Sequence, residues 1–403
     1  MAARHRRGVL ATLLVASLTQ PAAALLLRLS PAAQQPYRPI AARRPPLAAA
    51  PRCCDASASA AAASDDGDAG ADVARSQGGL LAMDAPLPQI ALCLAGYLVH
   101  VCFLSRRSLR LGPLSVGLDT LSGLAVLAAA ARRRAQTRGR AMPPWLDGGA
   151  GEPAEAACCL DLRGAPREEK LRLLGTAAMV LAAPFAFSVL LGPLLEALPY
   201  ALILLGVPLT EAAMPAARLL LEQSMLYVAL LRLIGARHAP FFRGESWVRV
   251  RWRAPWLAPV LGGYAASLAL FNLVEPINQA LLPHLAYAAE GPVARLANPT
   301  DGSAATLLLS AITPCVGAPL YEELQSRAFL LQAMTAALPL RGALVASGVL
   351  FGAQHMQLGL LLPLSVTGFF WGVLYVHSGN LLVPMLIHAL WNARIFLGSY
   401  LGL

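Results

Sequence analysis

The chain has 403 residues, a formal net charge of +10, 57% hydrophobic residues and only 13% charged ones, with a mean hydropathy of +0.57. That is too apolar for an ordinary soluble globular protein of this length and predicts an all-α polytopic membrane protein. Arginine carries nearly all the positive charge, Lys170 being the sole lysine, and it clusters beside apolar runs at Arg132 to Arg140 and Arg237 to Arg253; the partners this predicts are the lipid bilayer and its headgroups, not nucleic acid.

In chain order, Met1-Ala2-Ala3-Arg4-His5-Arg6-Arg7 leads into the apolar stretch from Val9 to Leu18 and then the small residues Ala22 to Ala24, the three parts of a signal peptide. No acidic residue precedes Asp55, and the Arg, Ala and Pro richness continues to about Arg52, as in a transit peptide. Together they predict a bipartite plastid address, a plain secretory signal leading to the endomembrane system being the alternative. Residues 55–77 are Ala, Ser, Gly and Asp, a composition expected of a flexible linker, so residues 1–80 are assigned to targeting and linker.

Apolar spans long enough for a bilayer follow near 86–104, 112–131, 171–193, 198–235, 256–276, 303–336, 341–357, 360–377 and 381–400. The fourth and sixth are long enough for more than one element, which predicts about eight to ten membrane segments. An amino-terminal membrane hairpin over 81–135 is separated from a bundle over 171–403 by a loop over 136–170 containing Pro143, Pro144, Gly148, Gly149 and Gly151. The seven cysteines form no CxxC and imply no disulfide framework. The closing Tyr400-Leu401-Gly402-Leu403 is not a Cys-a-a-X box, so any role in prenyl chemistry is expected to be that of processor.

Five ionisable residues interrupt the apolar carboxyl-terminal segments: Glu322, Glu323, Arg327, His355 and His388. Such residues at membrane depth mark function by default. The turns at Pro339-Leu340-Arg341-Gly342 and His377-Ser378-Gly379-Asn380 are predicted on one membrane face, which lets depths be compared. At ~1.5 Å per residue, Glu322 lies about 25 Å before the first turn, His355 about 24 Å after it, and His388 and Asn392 about 13 and 20 Å past the second. Three helices are thereby expected to bring Glu322, His355 and the His388/Asn392 pair to one pocket.

Glu323 and Arg327 are i and i+4 on a helix and are expected to pair, leaving Glu322, rotated about 100° away, free to act as general base for water. His388 and Asn392, also i and i+4, are placed to donate hydrogen bonds to an oxyanion. His355 either orients the water with Glu322 or joins Glu322 and His388 as ligands of zinc with an open position. Each has a plainer reading: a lone buried histidine is usually structural, a Glu–Arg pair is usually helix-packing glue, and Phe351 is expected to pack. Ser347 in Val345-Ala346-Ser347-Gly348 is a poor match to a serine intramembrane protease and more simply permits close packing.

Glu-Glu-x-x-x-Arg, Phe-x-x-x-His and His-x-x-x-Asn, in this order on successive hydrophobic segments, resemble the CAAX-processing and bacteriocin-processing intramembrane protease family, which includes type II CAAX prenyl endopeptidases. The resemblance covers roughly residues 255–403. It implies a helical membrane fold and endopeptidase activity on membrane-associated, in some members prenylated, proteins. It also implies that Glu322 and His355 activate water, His388 and Asn392 stabilise the oxyanion, and Glu323 and Arg327 support, by a metallo- or glutamate-type mechanism. The rival from another class is a non-catalytic membrane scaffold or assembly factor that keeps the polar cluster for helix packing.

Overall fold

The computed structural model describes residues 85–111, 114–136, 162–238, 248–283 and 292–402. The targeting and linker segment expected over 1–80, and most of the loop expected over 136–170, lie outside the described residues. Residues 79–203 and 208–403 group as one unit. Its helices are α1 (Pro86–Val99), α2 (Leu118–Gln136), α3 (Arg167–Leu204), α4 (Met214–Arg237), α5 (Leu257–Leu281), the short α6 (Pro292–Ala297), α7 (Ala304–Met334), α8 (Leu340–Gln354), α9 (Leu361–Ser378) and α10 (Leu382–Leu401).

Among the described residues, seven helices are long and apolar enough to cross a membrane, against the eight to ten segments expected, and α8 is a shorter apolar helix beside them. The stretch expected to span over 112–131 does something else. It contributes to an antiparallel ribbon, β1 (Ser108–Leu111) with β2 (Leu114–Gly117), and then enters α2. Leu109 and Leu111 alternate with Ser108 and Arg110, the period of a strand, while α2 opens at Asp119 and closes through Arg132 and Arg133, too charged for a span. The long run near 198–235 resolves into the end of α3 and most of α4.

Side-chain amides stitch the bundle where backbone groups run out of partners. Gln89 of α1 donates to the Ala254 carbonyl (3.1 Å) and accepts from the backbone of Trp256 (2.9 Å) and Leu257 (3.1 Å), capping the start of α5 from another helix. Asn380, in the turn between α9 and α10, pairs with both backbone groups of Arg251 at 2.9 Å, as a strand neighbour would. At the opposite end of the bundle, Ser399 Oγ donates to the Ala297 carbonyl at 2.6 Å.

α8 and α9 form the tightest helix pair, and glycine makes the approach possible. A Cβ at Gly348 would lie 2.7 Å from the Phe369 backbone nitrogen, and one at Gly368 would lie 2.8 Å from Phe351 Cβ. Beyond His355 the chain turns sharply, Met356 taking a left-handed φ of 53°, unusual for a residue with a side chain. Asn278 of α5, buried, holds this turn: its Nδ2 donates to the Gly359 carbonyl at 2.6 Å and its Oδ1 accepts from the Leu362 amide at 3.2 Å.

Candidate active site

α7 carries both glutamates, and its backbone is not a regular α-helix. Thr313–Gly317 and Leu324–Leu330 are π-helical turns, with one α-helical segment, Ala318–Glu323, between them. Pro314 and Pro319 explain the first. The Ala318 amide bonds back five residues to the Thr313 carbonyl, so the Pro314 carbonyl would look next to residue 319, which is proline and has no N–H to give. Asn392 of α10 fills the gap, Nδ2 donating to the Pro314 carbonyl at 2.6 Å. One of the two amide protons expected to serve an oxyanion is therefore engaged in holding α10 to α7.

Glu322 and Glu323 point into different surroundings. The Glu322 side chain is 24% exposed and that of His355 29%, with His355 Nε2 3.8 Å from Glu322 Oε2. That distance is too long for a direct hydrogen bond. His355 Nδ1 lies 2.8 Å from the Phe351 carbonyl, which can only accept, so Nδ1 carries a proton and Nε2 is the nitrogen turned to Glu322. Glu322 Oε2 is itself buried without a hydrogen-bond partner. In the neutral ring Nε2 is an acceptor like Glu322 Oε2, and one water donating to each over ~2.8 Å would span about 4.4 Å, a little more than the gap seen.

Glu323 has no exposure and sits at the centre of a closed network. Arg327 Nη1 approaches its Oε2 at 3.0 Å, an ion pair rather than an aligned hydrogen bond, and His388 Nδ1 meets its Oε1 at 2.9 Å. Arg327 Nη2 also donates to the Gly368 carbonyl at 3.0 Å, and its guanidinium lies 4.4 Å from the Phe351 ring centroid and 5.5 Å from that of Trp371. The expected Glu323–Arg327 pair is present, and His388 joins it. Since Glu323 accepts at His388 Nδ1, that nitrogen holds a proton; His388 can donate from Nε2 only as an imidazolium.

Phe351 ties the two sets together. Its ring lies 5.0 Å from that of His355 and 6.2 Å from that of His388, while Trp371 lies 4.9 Å from His388. Packing, as expected, is its role, but packing against three ionisable side chains at once. Trp371, the Gly368 and Pro314 carbonyls and the Asn278 clamp were missed by sequence reasoning. Only the glycines on α8 and α9 hinted at them, by marking where backbones approach. Ser347 donates weakly to the Ser326 carbonyl at 3.5 Å, as a packing residue would.

The donors considered for zinc do not gather. Among the described residues no three His, Cys, Asp or Glu side chains form a metal-binding group; His355 faces Glu322, whereas His388 is turned to Glu323.

Residues 304–394 match the family model described as type II CAAX prenyl endopeptidase Rce1-like. The match covers less than a quarter of the chain and includes Glu322, Glu323, Arg327, His355, His388 and Asn392. No curated protein and no solved structure matches the chain. Over these residues, in an otherwise apolar multi-helix chain, the sequence is similar to the Rce1-like family.

Proposed function

We propose that the chain is an intramembrane endopeptidase in which Glu322 and His355 activate water against a peptide carbonyl of a membrane-associated protein. Prenylated Cys-a-a-X proteins are the substrate class the Rce1-like match favours. The observation that carries the reading is the facing pair Glu322 Oε2 and His355 Nε2, 3.8 Å apart, on side chains about a quarter exposed among otherwise buried polar groups. A water held there gives a proton to Glu322 as its oxygen attacks the carbonyl carbon. Glu322 then returns that proton to the leaving amine as the C–N bond breaks. His388, as imidazolium, and the second amide proton of Asn392 are the donors offered to the oxyanion.

The steps are written for side chains alone, and among the described residues the three zinc candidates form no three-ligand group. A scaffold would have no use for Glu322 outside the closed Glu323 network, which already supplies the helix-packing glue. The plastid address belongs to the same proposal, supported by the acid-free opening of the chain and tested by imaging a fluorescent fusion.

The decisive experiment is mass-spectrometric detection of cleavage when purified full-length protein meets a prenylated Cys-a-a-X peptide, with and without chelator, beside Glu322→Gln. The wild type is expected to cleave and the variant not. Failure of the wild type to cut any membrane peptide would sink the proposal. Loss of activity on chelation with recovery on zinc would add a metal to it.

A further inference from the structure

We propose that Gln354 is a further residue of the hydrolytic site, its side-chain amide holding the water that Glu322 and His355 share; the inference rests on the hydrolase reading and adds a donor to it. Gln354 is the last residue of α8 and the chain neighbour of His355. The residue is partly exposed, yet its Nε2 is buried without a hydrogen-bond partner, the same condition as Glu322 Oε2. One atom is a donor and the other an acceptor. Buried polar atoms are as a rule satisfied by protein or by ordered water, so two of opposite kind on facing helices mark a place for water between them.

The helix faces bring them together. Ser347 marks the side of α8 that meets α7, its Oγ reaching the Ser326 carbonyl at 3.5 Å. At about 100° per residue, Gln354 lies about 20° from Ser347 around α8, and His355 about 80° to the other side. His355 comes within 3.8 Å of Glu322, and Gln354 is turned more directly toward α7 than His355 is. Depth agrees as well. α7 and α8 pack in opposite directions across the turn at 335–339. The step from Ser326 back to Glu322, about 6 Å, and the step from Ser347 on to Gln354, about 10 Å, therefore lead the same way. Side chains lean toward the N-terminus of their own helix, which in an antiparallel pair tips Glu322 and Gln354 toward one another and offsets the remaining difference.

A water has two protons and two lone pairs. With its protons given to Glu322 Oε2 and to Nε2 of a neutral His355, it can still turn about the line joining those two acceptors. An N–H of Gln354, taken by one lone pair, removes that freedom and aims the other lone pair at the carbonyl carbon. Gln354 gives up no proton; the transfer to Glu322 and on to the leaving amine is unchanged.

The first test is a structure of the full-length protein at a resolution that shows ordered water. A water within about 3.2 Å of Gln354 Nε2, Glu322 Oε2 and His355 Nε2 is expected. No water there, or one that leaves Gln354 untouched, would overturn the assignment. The second is kinetic. Gln354→Met, similar in length but without a donor, is expected to lower kcat about tenfold or more, with KM and unfolding temperature little changed. Gln354→Asn keeps the amide on a shorter arm and is expected to hold kcat above that of the Met variant. Unchanged kcat in the Met variant, a loss carried by KM instead, or an Asn variant no better than Met each overturns the assignment; should the Met variant fail to fold, the water contacts of the wild type decide. The shared water in a wild type that cuts nothing would keep Gln354 at a water site and remove the hydrolase, whereas cleavage by a protein whose water does not touch Gln354 removes Gln354 alone.

Discussion

Glu322 and Glu323 are neighbours in the chain, chemically identical, and set about 100° apart on one helix. That rotation places one beside His355 with an unpaired oxygen and the other inside a sealed network with Arg327 and His388. A buried carboxylate held between a guanidinium and an imidazole is expensive to disturb. A carboxylate with an unpaired oxygen and partial exposure can exchange protons with a substrate. The difference between them separates the part of the cluster that works from the part that holds.

Breaking the comparison begins with the working side. Glu322→Gln is expected to lower peptide hydrolysis by about 10² to 10⁴-fold, the range for loss of a general base, while thermal unfolding in detergent moves little. The reverse pattern, lost stability with retained cleavage, would erase the distinction. On the holding side, Arg327→Met leaves Glu323 buried without its cation and is expected to cost about 3–5 kcal/mol, read as a large fall in unfolding temperature and in folded yield. A variant that unfolds like wild type would put Arg327 outside the structural set.

Between the two lies Asn278, which touches neither glutamate but clamps the turn after His355. Asn278→Ala orphans the Gly359 carbonyl and the Leu362 amide and is expected to cost about 1–3 kcal/mol. It should also lower kcat more than it raises KM, because the His355 ring is displaced from Glu322. A stability loss with unchanged kcat would make the clamp purely structural.

The smallest effect is on pH dependence away from the site. His238, just beyond α4, is buried against Thr176 at 3.1 Å, and burial first, then Arg172 and Arg237, hold its pKa below the usual 6.5. The unfolded chain therefore binds the proton more readily than the folded one. Stability from this group is present above the unfolded value of about 6.5 and is lost as pH falls toward the folded one. His238→Gln is expected to flatten that acid-side decline in unfolding temperature, and an unchanged slope would assign it to other groups.

Much of this was legible beforehand because hydrophobic length is written residue by residue. The carboxyl-terminal spans, the i,i+4 pairing of Glu323 with Arg327 and the meeting of Glu322 with His355 all follow from helix rise and rotation. The ribbon Ser108–Gly117 was not read, because an apolar run of modest length suits strand or helix, and alternation over four residues is a weak signal. Nor was the hold of Asn392 on Pro314, since it depends on a carbonyl orphaned by proline 319 in a π-turn, and π-turns have no simple sequence period.

By itself the sequence determined the class of molecule, the order of its helices and the residue types brought to the site, since each depends on local composition or on spacing along one helix. Tertiary structure alone decided that His388 belongs with Glu323 rather than Glu322 and that Asn278 braces the His355 turn. These are meetings between different helices, and which faces meet is set by how ridges and glycine gaps interlock, something no single segment's pattern contains.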